Sequence, residues 1–397
     1  TMHVLDDILV IDLTQALAGP YCTMLLGDMG AEVVKVEQPG NGDQSRGWGP
    51  PFVAGESTYF LSVNRNKQSL TLNLKSEAGR DIMRRLAARA DVFIHNMPRQ
   101  SSQRETGVDV TSLLALNPRL VHVSISGYGI GGPYAERPGY DLIAQGESGL
   151  MSLTGEPDGE PMRYPIPLAD MTTGLYAALG ILGALLARQR TGRGQALDVS
   201  LLESQSAWLG ILAGAYLNAG ELPQRLGNVH PNIVPYQVFR ASDKYIIVAV
   251  GTQRLWARFC EALGVTDTLL NDPRFATNSD RLTHRAELIP LLQAILEQKE
   301  AAHWLEAFRA AQIPSGPINS VPEALSHPQI VERGFIVEME HPLAGLVKSL
   351  GNPVRFGDTP VSFRRPPPTL GEHTAGILAG MGFTVEEIEE FKAQGVV

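Results

Sequence analysis

In the first third of the chain, short runs rich in Val and Ile alternate with longer segments of helical spacing. Ile8–Leu13, Glu32–Glu37, Asp91–Asn96 and Leu120–Gly127 are each too short and too β-branched to favour helix. Between them, Ala18–Gly30 and Ser76–Ala90 carry apolar residues at helical intervals, the second with Ser76 placed to cap it. Strands that alternate with helices have their crossovers supplied, and a crossover is what parallel pairing requires. The pattern therefore predicts an α/β fold built on a mainly parallel, doubly wound sheet.

Further along, Asp170 precedes a long helical stretch, Met171–Arg190, which stops at Thr191-Gly192. Arg188 and Arg190 fall in its last turn, where cations suit the helix dipole. A strand at Ala196–Leu201 and another helix follow. Leu222–Pro235, with its prolines and asparagines, reads as a linker into a second unit. That unit has one clear strand, Tyr245–Val250, and helices near Arg254–Leu263, Arg281–Glu297 and Ala301–Ala311. The Pro/Gly-rich Ile313–Asn319 marks the return, and the tail carries a short acidic helix around Val385–Gln394.

Composition narrows the function. With 33 basic against 42 acidic residues the net charge is −9, which argues against nucleic acid as a partner, since such binding needs a basic surface to displace counterions. Charged residues are 19% of the chain, below the roughly 25% of an average soluble domain, which leaves room for a subunit interface. Cys22 and Cys260 stand far apart with no metal-ligand spacing, so neither a disulfide scaffold nor a metal site is expected. The longest apolar stretch, Gly174–Ala187, is interrupted by glycines, and no membrane association is expected. No leader-like segment precedes the first strand, and a cytoplasmic enzyme is the expectation.

Several constellations invite function. Gly127, Gly129 and Gly132 match G-x-G-x-x-G after a strand, but Pro133 and Pro138 spoil the helix that a pyrophosphate loop must open. A glycine-rich strand exit near a ligand is the better reading. His95, His122 and His230 have no nucleophile motif to serve. Lys35, Arg65, Lys67, Lys75, Arg99 and Arg104 lie at or near strand ends, either as a solvated face or as an anion pocket at the carboxyl edge of the sheet. Asp170, just ahead of an apolar helix, is either an ordinary N-cap or a carboxylate that helix N–H groups keep ionised and nucleophilic.

Five segments resemble the class III CoA-transferases of the CaiB/BaiF, formyl-CoA transferase-like type. They are DLTQALAGP (12–20), GDMGAEVVKVEQPG (27–40), NRNKQSLTLNLK (64–75), PGYDLIAQGESGL (138–150) and LADMTTGLYAALGILGAL (168–185). The likeness continues through TGRGQALDVSLLES (191–204), IPSGPINS (313–320) and LGEHT (370–374), covering nearly the whole chain. WGPPF (48–52), STYFLSVNRNK (57–67), NIVPYQVF (232–239) and MEHPLAG (339–345) look closest to the succinyl-CoA:glutarate CoA-transferase branch.

The resemblance implies a large Rossmann-like domain made by both ends of the chain, residues 1–222 and 321–397, with a smaller α/β domain, 223–320, inserted. It implies two such chains interlocked as a homodimer. Acyl-CoA and small carboxylic acids become the expected substrates, with no tightly bound cofactor. Asp170 matches the family's nucleophile. Coenzyme A contacts carry over onto Ala16, Leu17, Ala18, Leu72, Asn73, Leu74, Lys75, Asn96, Met97, Pro98, Arg104 and Arg137. The turn at the end of the strand Asp91–Asn96 reads Asn96-Met97-Pro98-Arg99-Gln100, a departure from the family's usual Asn-Phe-x-Pro-Gly, and Gln38 replaces a common basic residue. Trp48, Tyr59, Tyr140 and the loop glycine Gly251 fall on the acyl side.

Arg46, two residues before Trp48, is expected either to hold the distal carboxylate of a dicarboxylate or to pair with Asp43 on the surface. The rival activity in the superfamily is 2-methylacyl-CoA racemisation, which needs two acid/base groups flanking the α-carbon. Racemases carry a Gly-His-Asp stretch where this chain has Gly139-Tyr140-Asp141. A phenol with a pKa near 10 is a poor base at neutral pH, which favours transfer.

Overall fold

The computed structural model describes residues 2–397. Two compact units emerge. The larger holds residues up to Met151, then Arg163–Glu221 and Gln329–Val397; the smaller holds Leu222–Pro328 together with Ser152–Met162. The smaller unit thus runs eight residues past the expected 320 boundary and takes in an excursion that the sequence had left in the large domain. Hydrogen bonds explain the excursion: Arg225 Nε and Nη2 donate to the Glu156 and Gly159 carbonyls at 2.8 and 2.7 Å, and Gly227 N–H donates to the Gly155 carbonyl at 3.1 Å.

In the larger unit six parallel strands form one sheet: β1 (Leu9–Leu13), β2 (Glu32–Glu37), β3 (Lys67–Thr71), β4 (Val92–His95), β5 (Val121–Ser126) and β6 (Ala196–Ser200), in the spatial order β3-β2-β1-β4-β5-β6. This is the order of doubly wound nucleotide-binding sheets, in which the chain reverses direction of winding between β1 and β4. Successive residues of each strand enter different layers, as a pleat requires. Val10, Val33, Val92 and Ile94 face one core; Ile11, Val34 and Phe93 face the other. Register pairs Val10 with Val33 on one side and with Val92 on the other.

Helices α1 (Ala18–Asp28), α2 (Glu77–Arg89), α3 (Asp141–Glu147) and α4 (Leu168–Thr191) cover the sheet and frame its carboxyl edge. Ser76 caps α2 as expected, its hydroxyl accepting the Gly79 N–H at 3.0 Å. By length and composition α4 could cross a membrane, but Ala177, Ile181, Ala184 and Leu185 are packed into the core with α1, as a central helix of a folded domain. No helix opens directly behind Gly127-Gly132; the next begins at Asp141, and a pyrophosphate loop is absent there among the described residues.

The edge strand β3 was not expected. Its sequence, KQSLT, is polar, because Lys67 is buried in an ion pair and the outer side is covered by the C-terminal segment. Gly371 N–H donates to Ser69 Oγ, His373 N–H to the Ser69 carbonyl, and Thr71 N–H to Thr374 Oγ1. The expected helix Arg281–Glu297 is broken at His284 into Asn278–Thr283 and Arg285–Leu296. The smaller unit is built on an antiparallel sheet of Tyr236–Arg240, Tyr245–Ala249 and Ser315–Pro317 with Trp256, Phe259, Leu292 and Phe308 in its core.

Candidate active site

A cavity of about 490 Å³ opens at the carboxyl edge of the parallel sheet. Every strand contributes its exit: Leu13 and Gln15–Ala18 after β1, Glu37 and Gln38 at β2, Leu72–Lys75 after β3, Asn96–Pro98 after β4, Ser126 and Gly127 at β5, and Leu201 after β6. Crevices at this edge, beside the winding reversal, are where open α/β sheets take ligands. Of the residues expected to touch coenzyme A, all but Arg104 line this space, and Trp48, Tyr140 and Asp170 line it too.

Asp170 lies in the first turn of α4, but it is not the N-cap; Pro167 holds that position and offers no side-chain cap. The cap comes from Asp141, whose Oδ1 accepts the N–H groups of Ala169 at 2.7 Å and Asp170 at 3.2 Å. Asp141 is itself held by Gln145 Nε2 at 2.7 Å, and Gln145 Oε1 accepts the Tyr164 N–H at 2.9 Å. Sequence reasoning missed Asp141 and Gln145 as supports of the site, since nothing in their spacing signals a cap on a helix 27 residues later.

The expectation that helix N–H groups keep Asp170 ionised is corrected. Burial, and then the charge of Asp141, push its carboxyl up from 3.8 to about 7. Among the described residues no donor bonds that carboxyl, in contrast to Asp141, Asp43 and Glu37. Asp170 lines the cavity.

Arg46 has a different partner from either one expected. Its guanidinium binds Glu37 through two hydrogen bonds of 2.7 Å, donates to the Pro368 carbonyl and lies 3.7 Å over the Phe60 ring. The fork that would grip a substrate carboxylate is occupied, and Arg46 does not line the cavity. Lys35, Arg65 and Lys67 likewise form no anion pocket: they are buried against Asp43, Asp28 and Asp12. The cations in the cavity wall are Lys75 and Arg137, the latter paired with Glu147 at 2.9 Å and flanked by Tyr128 and Tyr134.

Arg104 is exposed on the helix Gln100–Thr106, whose Thr106 reaches the cavity instead. Each residue turns an α-helix by about 100°, so Arg104 and Thr106, two apart, stand on nearly opposite faces. Tyr59 stands behind Trp48, edge-on at 4.9 Å, in a cluster with Leu17, Met24 and Met171. Burial first, then the charges of Asp170 and Asp141, raise its phenol. Gly251 belongs to the smaller unit, directly after its central strand. Gln15 and Gln44 also line the cavity and were not singled out from sequence.

Comparison with known proteins places the chain in a family. The model of CoA-transferase family III matches residues 5–374. A succinyl-CoA:glutarate CoA-transferase of Mus musculus is 42% identical over 100% of this chain and 91% of its own length. A succinate–glutarate CoA-transferase of Agrobacterium fabrum is 42% identical over 94% of this chain and 95% of its own. The crystal structure of a CaiB/BaiF family protein from Brucella suis superposes with a TM-score of 0.88 at 41% identity, covering 96% of this chain and all of that one. An α/β fold around a parallel sheet, a cavity at its carboxyl edge and these full-length likenesses lead to one assignment: the chain belongs to CoA-transferase family III.

Proposed function

We propose that this enzyme moves coenzyme A from succinyl-CoA to a short dicarboxylate, with Asp170 as the nucleophile. The observation that carries the reading is the Asp170 carboxyl itself, half-buried in the cavity wall and, among the described residues, bonded to no protein donor. Glutarate-directed activities named for the two relatives above support the choice of substrates.

The Asp170 carboxylate attacks the thioester carbonyl, giving a mixed aspartyl–succinyl anhydride and coenzyme A thiolate. The thiolate attacks the aspartyl carbonyl, releasing succinate and leaving an aspartyl-CoA thioester. The acceptor carboxylate attacks that thioester, and thiolate leaves again with a second anhydride in its place. Attack of the thiolate on the acceptor carbonyl then releases the new acyl-CoA and restores Asp170. Each step exchanges one activated acyl bond for another, so no energy source is consumed. The intermediates demand a site that excludes water.

Leu17, Ala18, Leu72–Lys75, Asn96–Pro98 and Arg137 hold the coenzyme in this reading, with Trp48 and Tyr140 on the acyl side. The enzyme works as an interlocked homodimer in the cytoplasm. Incubation with succinyl-CoA and a panel of carboxylic acids tests the proposal: dicarboxylates are converted fastest, Asp170→Ala converts none, and hydroxylamine labels Asp170 in the wild type during turnover. Near-normal turnover by Asp170→Ala defeats it.

A further inference from the structure

The turn between β1 and α1 is held by an unusual number of side chains. Asp12 Oδ1 accepts the Thr14 N–H at 2.9 Å, and Lys35 Nζ donates to the Thr14 carbonyl at 2.8 Å. Asn96 accepts the Gln15 N–H at 3.1 Å and donates to the Gln15 carbonyl at 2.9 Å. Asp43 Oδ1 accepts the Ala16 N–H at 3.1 Å. Five successive backbone groups, from Thr14 N–H to Ala16 N–H, are thus gripped by residues from β1, from β2, from the exit of β4 and from the loop behind β2.

Ala16 is held at φ +69°. A non-glycine residue stays in that region only where its surroundings over-determine it, and such strain gathers at functional sites. Two of the five grips come from one ion pair, Lys35 with Asp43 at 2.7 Å, both side chains fully buried. Neither lines the cavity. Immediately past the turn, Leu17 and Ala18 do line it, together with Asp170. The Ala18 carbonyl also lies so close to α4 that a Cβ on Gly174, one helical turn beyond Asp170, would come within 2.6 Å of it.

We propose that Lys35 and Asp43 are positioning residues for CoA transfer, setting the Thr14–Ala16 turn so that the wall at Leu17–Ala18 is fixed in register with Asp170. The inference rests on Asp170 as the attacking carboxylate. A pair kept only for stability would behave differently from one that places the turn, and two double variants separate the cases. Lys35→Met/Asp43→Asn and Lys35→Met/Asp43→Leu both remove both charges, but only the first keeps an oxygen for the Ala16 N–H. The Leu variant is expected to show a kcat lower than the Asn variant by about tenfold or more, with KM for acyl-CoA within about threefold. Equal kcat values overturn the proposal.

Amide hydrogen exchange on the wild-type enzyme supplies the arm that requires no variant to fold. Gln15 and Ala16 amides are expected to be protected in the free enzyme as strongly as those of β1. Exchange at the rate of an open loop overturns the proposal. This readout does not depend on the chemistry of Asp170, whereas the Asp170→Ala assay does not depend on the turn, so either reading can fail without the other.

Discussion

Asp141 and Asp170 meet at one helix terminus: Asp141 Oδ1 accepts the Asp170 backbone N–H at 3.2 Å, while among the described residues none donates a hydrogen bond to the Asp170 carboxyl. One carboxylate uses the helix N–H groups, and the other is left with burial and a like charge. The acidity of Asp170 follows from that division.

Transfer should show an acid limb near neutrality. Asp170 must be ionised to attack, and its carboxyl is pushed up to about 7. The plot of log kcat/KM for acyl-CoA is expected to fall with unit slope below about pH 7. Asp141→Asn keeps an oxygen for the cap and removes the like charge, moving the limb down by about one unit. A limb unmoved by that change would show that Asp141 does not set it.

Removing the charge of Asp170 should stabilise the protein while abolishing activity. Its folded pKa lies above the unfolded value, so the folded state binds the extra proton and ionisation costs stability as pH rises from about 4 to 7. Asp170→Asn is expected to gain about 2–4 kcal/mol at pH 8, with the gain vanishing towards pH 4. Urea unfolding at the two pH values checks this.

Arg46→Met should act on stability rather than on acid selectivity. Burial alone would raise the Glu37 carboxyl, but Arg46 and Lys35 hold it down. Without Arg46 a buried carboxylate loses its two strongest bonds, at a cost of about 3–5 kcal/mol. KM values for a dicarboxylate and a monocarboxylate of similar length are expected to change by the same factor; a selective rise for the dicarboxylate would return Arg46 to substrate binding.

Gly174→Ala tests the close approach of α4 to the β1–α1 turn. The added methyl would meet the Ala18 carbonyl at 2.6 Å and Tyr21 at 3.1 Å. Separating two packed backbones costs about 1–3 kcal/mol, and a shift of the Asp170 helix is expected to lower kcat about 100-fold. Melting temperature and kcat measured together decide the case, and an unchanged kcat would detach this packing from catalysis.

Much of the larger unit was legible because its strands advertise themselves. Glu32–Glu37 was read to the residue, since Val33, Val34 and Val36 can hardly do otherwise than enter a sheet. β3 was illegible for the opposite reason: Lys67 and Ser69 are buried by pairing with Asp12 and Glu37, partners that no local pattern announces. Asp170 stood out through a segment shared with a family. Arg46 did not reveal its role, because Glu37, nine residues earlier, meets it only after β2 and the following turn fold back on each other. The same blindness hid Asp141, whose duty is performed on the backbone of a distant helix.

The C-terminal segment that seals β3 has a consequence for how this chain is made. Ser69 and the Gly371 N–H that bonds it are separated by 302 residues. At about 5–20 residues per second, a ribosome needs about 15–60 s to bridge that interval. For all of that time the nascent sheet carries an open edge, the feature through which chains pair with one another. The same vulnerability returns permanently in any shortened form that ends before Gly371, which would leave the translation machinery with its seam unsewn.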